Sequence, residues 1–195
     1  MDNIIIFSKE LLFSSIQEYF SFNEELIYDI YSKKEILYDQ PGAERYNLNE
    51  LANSNFVKLF EKNILNTFLR NYFKSNFIFL RYLRFRNPLL GQGEQEFHID
   101  WYKNHKFKRM EFFFLLDDMT TDNGCLRIKN ENKIVNIEAS SGTVILINSS
   151  IEHGGSKNYS GLNRRVLSCQ IACDLLPNET FLKKIILNTT AYNSV

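Results

Sequence analysis

The chain has 195 residues, of which 44% are hydrophobic and 24% charged; at roughly 100–200 residues per domain this is one domain. Its 17 Phe and 10 Tyr provide enough apolar area to exclude intrinsic disorder. Lys+Arg and Asp+Glu are both 23, so the net charge is zero, which excludes the global basic excess of a general nucleic-acid binder. Any charged ligand must be held by a local site.

The first apolar run, Ile4-Ile5-Ile6-Phe7, is too short for a signal-peptide core, and no run nears the roughly 20 residues of a membrane span. Neither a nucleic acid nor a membrane is expected as a partner. Cys125, Cys169 and Cys173 contain no CxxC pair and lack partners for a zinc site. They read as buried thiols of a cytoplasmic chain.

The first part, about residues 8–74, reads as helical. Ser8 is placed to cap a segment through Leu11, Leu12, Ile16 and Phe20, and a second stretch carries Leu26, Ile27, Ile30 and Tyr31. Gln40-Pro41-Gly42 breaks the pattern. The strongest helix is predicted from about Phe56 to Phe73. Val57, Phe60, Ile64, Leu65, Phe68, Leu69 and Tyr72 form its packing stripe, Lys62, Asn66 and Arg70 lie opposite, and Glu61 reaches solvent.

From Phe77 the period changes. Strands are predicted at Phe77–Arg86, Glu96–Trp101, Met110–Leu116, Cys125–Ile128, Ile134–Ile137, Thr143–Ile147 and Arg164–Cys173. Turn residues such as Gly91-Gln92-Gly93, Asp122-Asn123-Gly124 and Ser140-Ser141-Gly142 separate them. Many short strands after a helical preface predict an α+β fold. Its core, about residues 77–173, would be a jelly roll with the N-terminal helices packed on one sheet. No repeat or linker divides residues 1–195.

Histidine occurs only at 98, 105 and 153. In Phe97-His98-Ile99-Asp100, residues two apart on a strand project from the same face. Glu152-His153-Gly154-Gly155 follows beyond the apolar strand at 143–147. Two His and a carboxylate on one face of a metal are the ligand set of non-haem Fe(II) oxygenases. The His98/Asp100 pair alone is a weak signal and reads first as two surface residues at a strand end. Arg164 opens a strand whose alternate residues Arg164, Val166, Ser168 and Gln170 are mostly polar, while Leu167, Cys169 and Ile171 suit packing against helices. A guanidinium inside a pocket needs an anionic partner, and its planar fork matches a carboxylate. Strand phase favours Arg164 over Arg165.

Several segments together resemble the phytanoyl-CoA dioxygenase family. They are Gln95-x-x-His98-x-Asp100-Trp101, Asn123-Gly124-Cys125-Leu126, Gly142-Thr143-Val144-Ile145-Leu146, His153-Gly154-Gly155 and Arg164-Arg165-Val166-Leu167-Ser168-Cys169. The resemblance spans roughly residues 87–173. It implies a double-stranded β-helix core, Fe(II) held by His98, Asp100 and His153, and 2-oxoglutarate as co-substrate with its distal carboxylate on Arg164. It further implies O2 and a small molecule as reactants, with hydroxylation as the outcome. A halogenase would have a small residue where Asp100 stands. The family's Pro-Gly-Ser-His-like turn is replaced here by Arg127-Ile128-Lys129-Asn130-Glu131-Asn132-Lys133, so no substrate carries over. The substrate expected is of a natural-product or cell-surface tailoring type.

Other residues stay open at this level. Gln95 either orients the co-substrate or is a polar strand-edge residue. Trp101 and Tyr102 wall the pocket or pack in the core. The basic run Lys103, His105, Lys106, Lys108, Arg109 reads as a solvated connection before a rim for an anionic substrate. Two other functions fit the same residues: a cupin-like metal enzyme without 2-oxoglutarate, and a non-catalytic binding protein on the same barrel.

Overall fold

The computed structural model describes residues 4–38, 41–53, 55–101, 108–130 and 133–187. Strand β1 (Ile4–Phe7) precedes a one-turn helix α1 (Lys9–Leu12) and the long helix α2 (Ile16–Ser32). Strands β2 (Glu35–Ile36) and β3 (Ala43–Asn47) follow, then two 3-10 segments, Asn49–Asn53 and Asn55–Glu61, and helix α3 (Asn63–Phe73). The remaining strands are β4 (Phe77–Pro88), β5 (Arg109–Leu115), β6 (Leu126–Asn130), β7 (Lys133–Ile137), β8 (Val144–Asn148), β9 (Glu152–Gly155), β10 (Val166–Ala172) and β11 (Lys183–Ile186).

Local chemistry explains where the helices depart from the sequence pattern. Ser8 precedes α1 without a side-chain cap bond. The working cap is Ser15, whose hydroxyl accepts the Glu18 N–H at 3.1 Å, while the Glu18 carboxylate accepts the Ser14 N–H at 2.6 Å. This reciprocal capping starts a new helix at Ile16, so the predicted segment from Ser8 to Phe20 is divided. Leu26 and Ile30 of α2 are fully buried, whereas Leu11, Ile16 and Phe20 are exposed. The predicted helix from Phe56 to Phe73 is likewise a 3-10 segment and α3, broken at Lys62. Asn66, expected on the solvent side, is buried at that break and donates to the Phe60 carbonyl at 3.0 Å. Its amide satisfies a backbone acceptor that a continuous helix would have used. Glu61 is exposed, as its position on the stripe predicts.

The part read as helical also contributes strands. β1, β8, β5, β10, β4, β3 and β2 form one antiparallel sheet in that order, and β11 lies beside β4. β10 runs along one edge of β4, while β3 and β11 share the other, at its Arg84–Pro88 and Phe77–Leu80 ends. The second sheet has the order β7-β6-β9. The predicted strand Glu96–Trp101 is absent as a strand: the segment is irregular apart from one bridge, His98 to His153.

Strand alternation separates two apolar clusters. The larger lies between the helices and the outer face of the main sheet, with Phe112, Phe114, Leu167, Cys169, Ile171, Leu65 and Leu69. The smaller lies between the two sheets, with Leu115, Leu126, Ile128, Ile145, Ile147 and Val166. A partly polar interior on one side and helices on the other make this an α+β jelly roll, as the alternation along β10 predicted. Cys125 and Cys169 are buried free thiols, whereas Cys173 is only half-buried. Among the described residues, no helix is long and apolar enough to cross a membrane.

Candidate metal centre

β9 presents His153 from the smaller sheet, and the segment at 95–101 lies antiparallel beside it. Gln95 N–H donates to the Gly155 carbonyl, His98 N–H to the His153 carbonyl and Trp101 N–H to the Ser149 carbonyl, each at 2.9 Å. This irregular ladder brings His98 against His153, their ring centroids 4.6 Å apart. Asp100 Oδ2 lies 3.3 Å from His153 Nε2, and Asp100 Oδ1 lies 3.8 Å from His98 Nε2. One ligand atom from each of the three residues falls within 4.8 Å of the others, so the group could hold a metal ion.

The ring orientations are set by the backbone. His98 Nδ1 lies 2.9 Å from the Glu96 carbonyl oxygen, and His153 Nδ1 lies 3.0 Å from the Ile151 carbonyl oxygen. A carbonyl oxygen only accepts, so both Nδ1 atoms carry the proton, and in the neutral rings both Nε2 lone pairs face Asp100. Burial disfavours charge on His153. The hydrogen bond to Asp100, the Ile151 carbonyl and the fields of Asp100 and Glu111 outweigh it and raise its pKa above the ordinary value. The centre therefore attracts a cation.

Arg164 lies 6% exposed in the same cleft, its backbone N–H held by Asn87 Oδ1 at 3.0 Å. Burial lowers its pKa to about 10, still charged at neutral pH. Its Nε and Nη2 are buried without an acceptor among the described residues. Arg165 points the other way and pairs with Asp117 through Nε at 2.9 Å and Nη2 at 2.7 Å. Gln95 Oε1 accepts the Gly155 N–H at 3.2 Å. A Cβ on Gly155 would stand 3.0 Å from Gln95 Oε1, 3.1 Å from Arg86 Nη1 and 3.4 Å from Arg164 Nη2. A glycine there keeps clear the space on which these polar groups converge.

Sequence reasoning passed over Arg45, Arg84, Arg86 and Glu111, all of which line the cleft. Arg86 carries two buried donors without an acceptor. Burial, then the charges of Arg164 and Arg45, bring its pKa down to about 9. Glu111 is 1% exposed and accepts from Tyr82 Oη, from Gln170 Nε2 at 2.7 Å and from Ser149 Oγ at 2.9 Å. Burial and the charge of Asp100 push its carboxyl up to about 7. The signal was present for three of them: Arg84 and Arg86 alternate with Leu83 and Phe85, and Glu111 interrupts an apolar strand. Period-2 polar residues on an otherwise apolar strand face something wet.

Arg109 is neither part of a solvated connection nor a rim residue: its side chain is fully buried, pairs with Glu179 at 2.6 Å and lies 4.6 Å from the Trp101 ring. Trp101 accordingly packs against this arginine and does not line the cleft. The rest of the basic run except Lys108 (Lys103, His105 and Lys106), together with Tyr102, lies outside the described residues. The segment that replaces the family turn belongs to the β6–β7 pair. Within it, Arg127 donates to the Gln95 carbonyl at 2.7 Å and the Gly155 carbonyl at 3.1 Å, which ties the His98 segment to the smaller sheet.

No protein-family model matches the sequence, and no curated protein matches it. Solved structures with a similar fold are found. The non-heme alpha-ketoglutarate-dependent epimerase SnoN from nogalamycin biosynthesis aligns with a TM-score of 0.67 at 12% identity, covering 87% of this chain and 77% of its own. HygX from Streptomyces hygroscopicus, with nickel, 2-oxoglutarate and hygromycin B bound, aligns at 0.65 and 12%, covering 87% and 82%. AviO1 from Streptomyces viridochromogenes Tue57 aligns at 0.63 and 16%, covering 91% and 93%. The fold is thus that of the double-stranded β-helix shared by 2-oxoglutarate-dependent enzymes.

Proposed function

We propose that the chain is an Fe(II)- and 2-oxoglutarate-dependent oxygenase of the phytanoyl-CoA dioxygenase type that hydroxylates a small molecule. The observation that carries this reading is the pairing of two features in one cleft. Two imidazoles have their Nε2 atoms turned to Asp100, and a buried arginine, Arg164, has donors left without an acceptor. The donor set of two nitrogens and a carboxylate suits Fe(II) and leaves positions for other ligands.

His98, Asp100 and His153 would hold the metal, and the Glu96 and Ile151 carbonyls fix the two rings so that no tautomer change is needed on binding. Arg164 would take the distal carboxylate of 2-oxoglutarate, with Arg86 and Gln95 beside it and Gly155 keeping the space clear. Asn87 holds the Arg164 backbone in register. Leu115, Leu126, Ile145 and Val166 give the cleft an apolar wall. Held by these residues, the metal and 2-oxoglutarate would supply the O2-dependent oxidation of a C–H bond. Asp100 would fill the third protein position, which favours hydroxylation over halogenation. Neighbours named as an epimerase and a carbocyclase act through the same barrel, so substrate placement decides the outcome.

The test is direct. Anaerobic Fe(II) protein mixed with 2-oxoglutarate should give a weak visible band of keto-acid chelation, and admitting O2 should release succinate. A folded, iron-loaded chain that gives neither would reject the reading in favour of a cupin-like enzyme or a non-catalytic binding protein.

A further inference from the structure

We infer that the substrate is a small anion, a phosphate ester or carboxylate, and that Arg84 is the residue that receives its charged group. This rests on the oxygenase reading above and specifies its substrate class.

Besides Arg45, which has a partner of its own, the cleft is lined by three arginines, Arg84, Arg86 and Arg164, against two carboxyls, Asp100 and Glu111. A divalent metal and a 2-oxoglutarate dianion cancel one another and leave this excess in place. In a cleft with low-dielectric walls such an excess is costly unless an anion enters.

Arg84 and Arg86 lie two apart on β4, on the face opposite Leu83 and Phe85, which are in the helix-side core. Arg86 converges with Arg164 at Gly155, the end assigned to the co-substrate. Arg84 is opposite Ser168 of β10 on one side and Asn47 of β3 on the other. Its guanidinium lies 4.7 Å from the Tyr82 ring, and Tyr82 feels the charge of Asp100 as well as that of Arg84. Arg84 therefore stands on the metal side of the arginine row.

Arg84 is not engaged elsewhere. Among the described residues it makes no ion pair and no hydrogen bond; its sole contact of this kind is with the Tyr82 ring. Arg81, in contrast, pairs with Glu179 and Gln170, and Arg109 with Glu179. A guanidinium seated on an aromatic face keeps its edge donors free and its rotamer restricted, as an oxyanion receptor requires.

The probe is methyl phosphate, titrated calorimetrically into Ni(II)-loaded protein with saturating 2-oxoglutarate, for wild type, Arg84→Gln and Arg84→Lys. Wild type should bind the probe without displacing 2-oxoglutarate. Arg84→Gln should weaken it by about tenfold or more, the scale of a charge-assisted pair, and by more than it weakens 2-oxoglutarate. Arg84→Lys should retain part of the affinity. Equal affinity in wild type and Arg84→Gln would put the anion on the metal or the surface and overturn the inference. Competition with 2-oxoglutarate would put it on Arg164 and do the same. If 2-oxoglutarate itself fails to bind, the oxygenase reading falls. The dependence of methyl phosphate on Arg84 is then read on the Ni(II) protein alone and still decides this proposal.

Discussion

The main chains of His98 and His153 exchange two hydrogen bonds, each N–H donating to the other's carbonyl at 2.9 Å. This antiparallel bridge sets the two imidazoles 4.6 Å apart by centroid. Geometry of the centre is therefore held by backbone, so side-chain replacements should remove ligands without moving the strands that carry them.

Metal binding checks this first. His98→Ala, Asp100→Ala and His153→Ala should each abolish stoichiometric binding of Fe(II) or Ni(II), with far-UV circular dichroism unchanged. His153→Ala should also lower stability by about 1–2 kcal/mol, because that ring is buried against Phe113 and leaves a cavity. Undiminished metal affinity in any of the three variants would remove that residue from the ligand set.

The two neighbouring arginines should separate cleanly. Arg164→Ala should weaken 2-oxoglutarate by about 2 kcal/mol, roughly thirtyfold, the scale of a hydrogen-bonded charged pair. Arg165→Ala loses the paired contact with Asp117 and should cost about 1 kcal/mol of stability without changing 2-oxoglutarate affinity. Gly155→Ala should behave like a mild Arg164→Ala, since the methyl enters the space between Gln95, Arg86 and Arg164. Calorimetric titration of the three variants tells these outcomes apart; a larger loss in Arg165→Ala would shift the strand phase by one residue.

Glu111 gives a pH signature. Its folded-state pKa is raised from 4.5 to about 7, so the folded state binds its proton more tightly than the unfolded state. That contribution is fully present below about pH 4.5 and is lost as pH rises through about 7. It is on the order of 3 kcal/mol. Glu111→Gln is neutral at every pH and keeps an acceptor for Gln170 and Ser149, while the Tyr82 hydroxyl reverses to accept from the amide. In denaturant unfolding of metal-free protein, wild type should lose stability relative to Glu111→Gln between pH 5 and pH 8. A difference constant over that range would mean that Glu111 does not titrate there.

Beyond the predicted core, Glu179 accepts from Arg109 at 2.6 Å and pairs with Arg81 at 2.9 Å. With Arg109 fully buried, Glu179→Ala strands a charge inside and should cost about 3–5 kcal/mol. Adding Arg109→Met should recover part of that loss. An additive double variant would show that the pair is not coupled.

What the sequence determined was whatever depends on neighbours along the chain. The alternation in Arg164–Cys173 decided which side of β10 faces the helices, and Leu167, Cys169 and Ile171 are buried there. His98 and Asp100 were legible as a pair because two residues apart in an extended segment point together, and that held even though residues 96–101 form no strand. The 143–147 strand followed from its apolar run, and the 77–86 strand from its richness in aromatic and aliphatic residues.

Only the tertiary structure decided what depends on distant partners. Ile4–Phe7 reads as four apolar residues; pairing with β8 at Ile147 to Val144 makes it a strand, and no local signal encodes that partner. β3 has the mixed composition Ala-Glu-Arg-Tyr-Asn and becomes a strand by pairing with β4, which sets Arg45 opposite Arg86. Arg84 and Arg109 are both arginines on strands, and nothing local distinguishes them. One faces a cleft without a carboxylate partner, and the other meets Glu179, 70 residues later. Burial and charge pairing are set by the fold as a whole, because a guanidinium's partner is fixed by which strands lie side by side and not by which residues precede it.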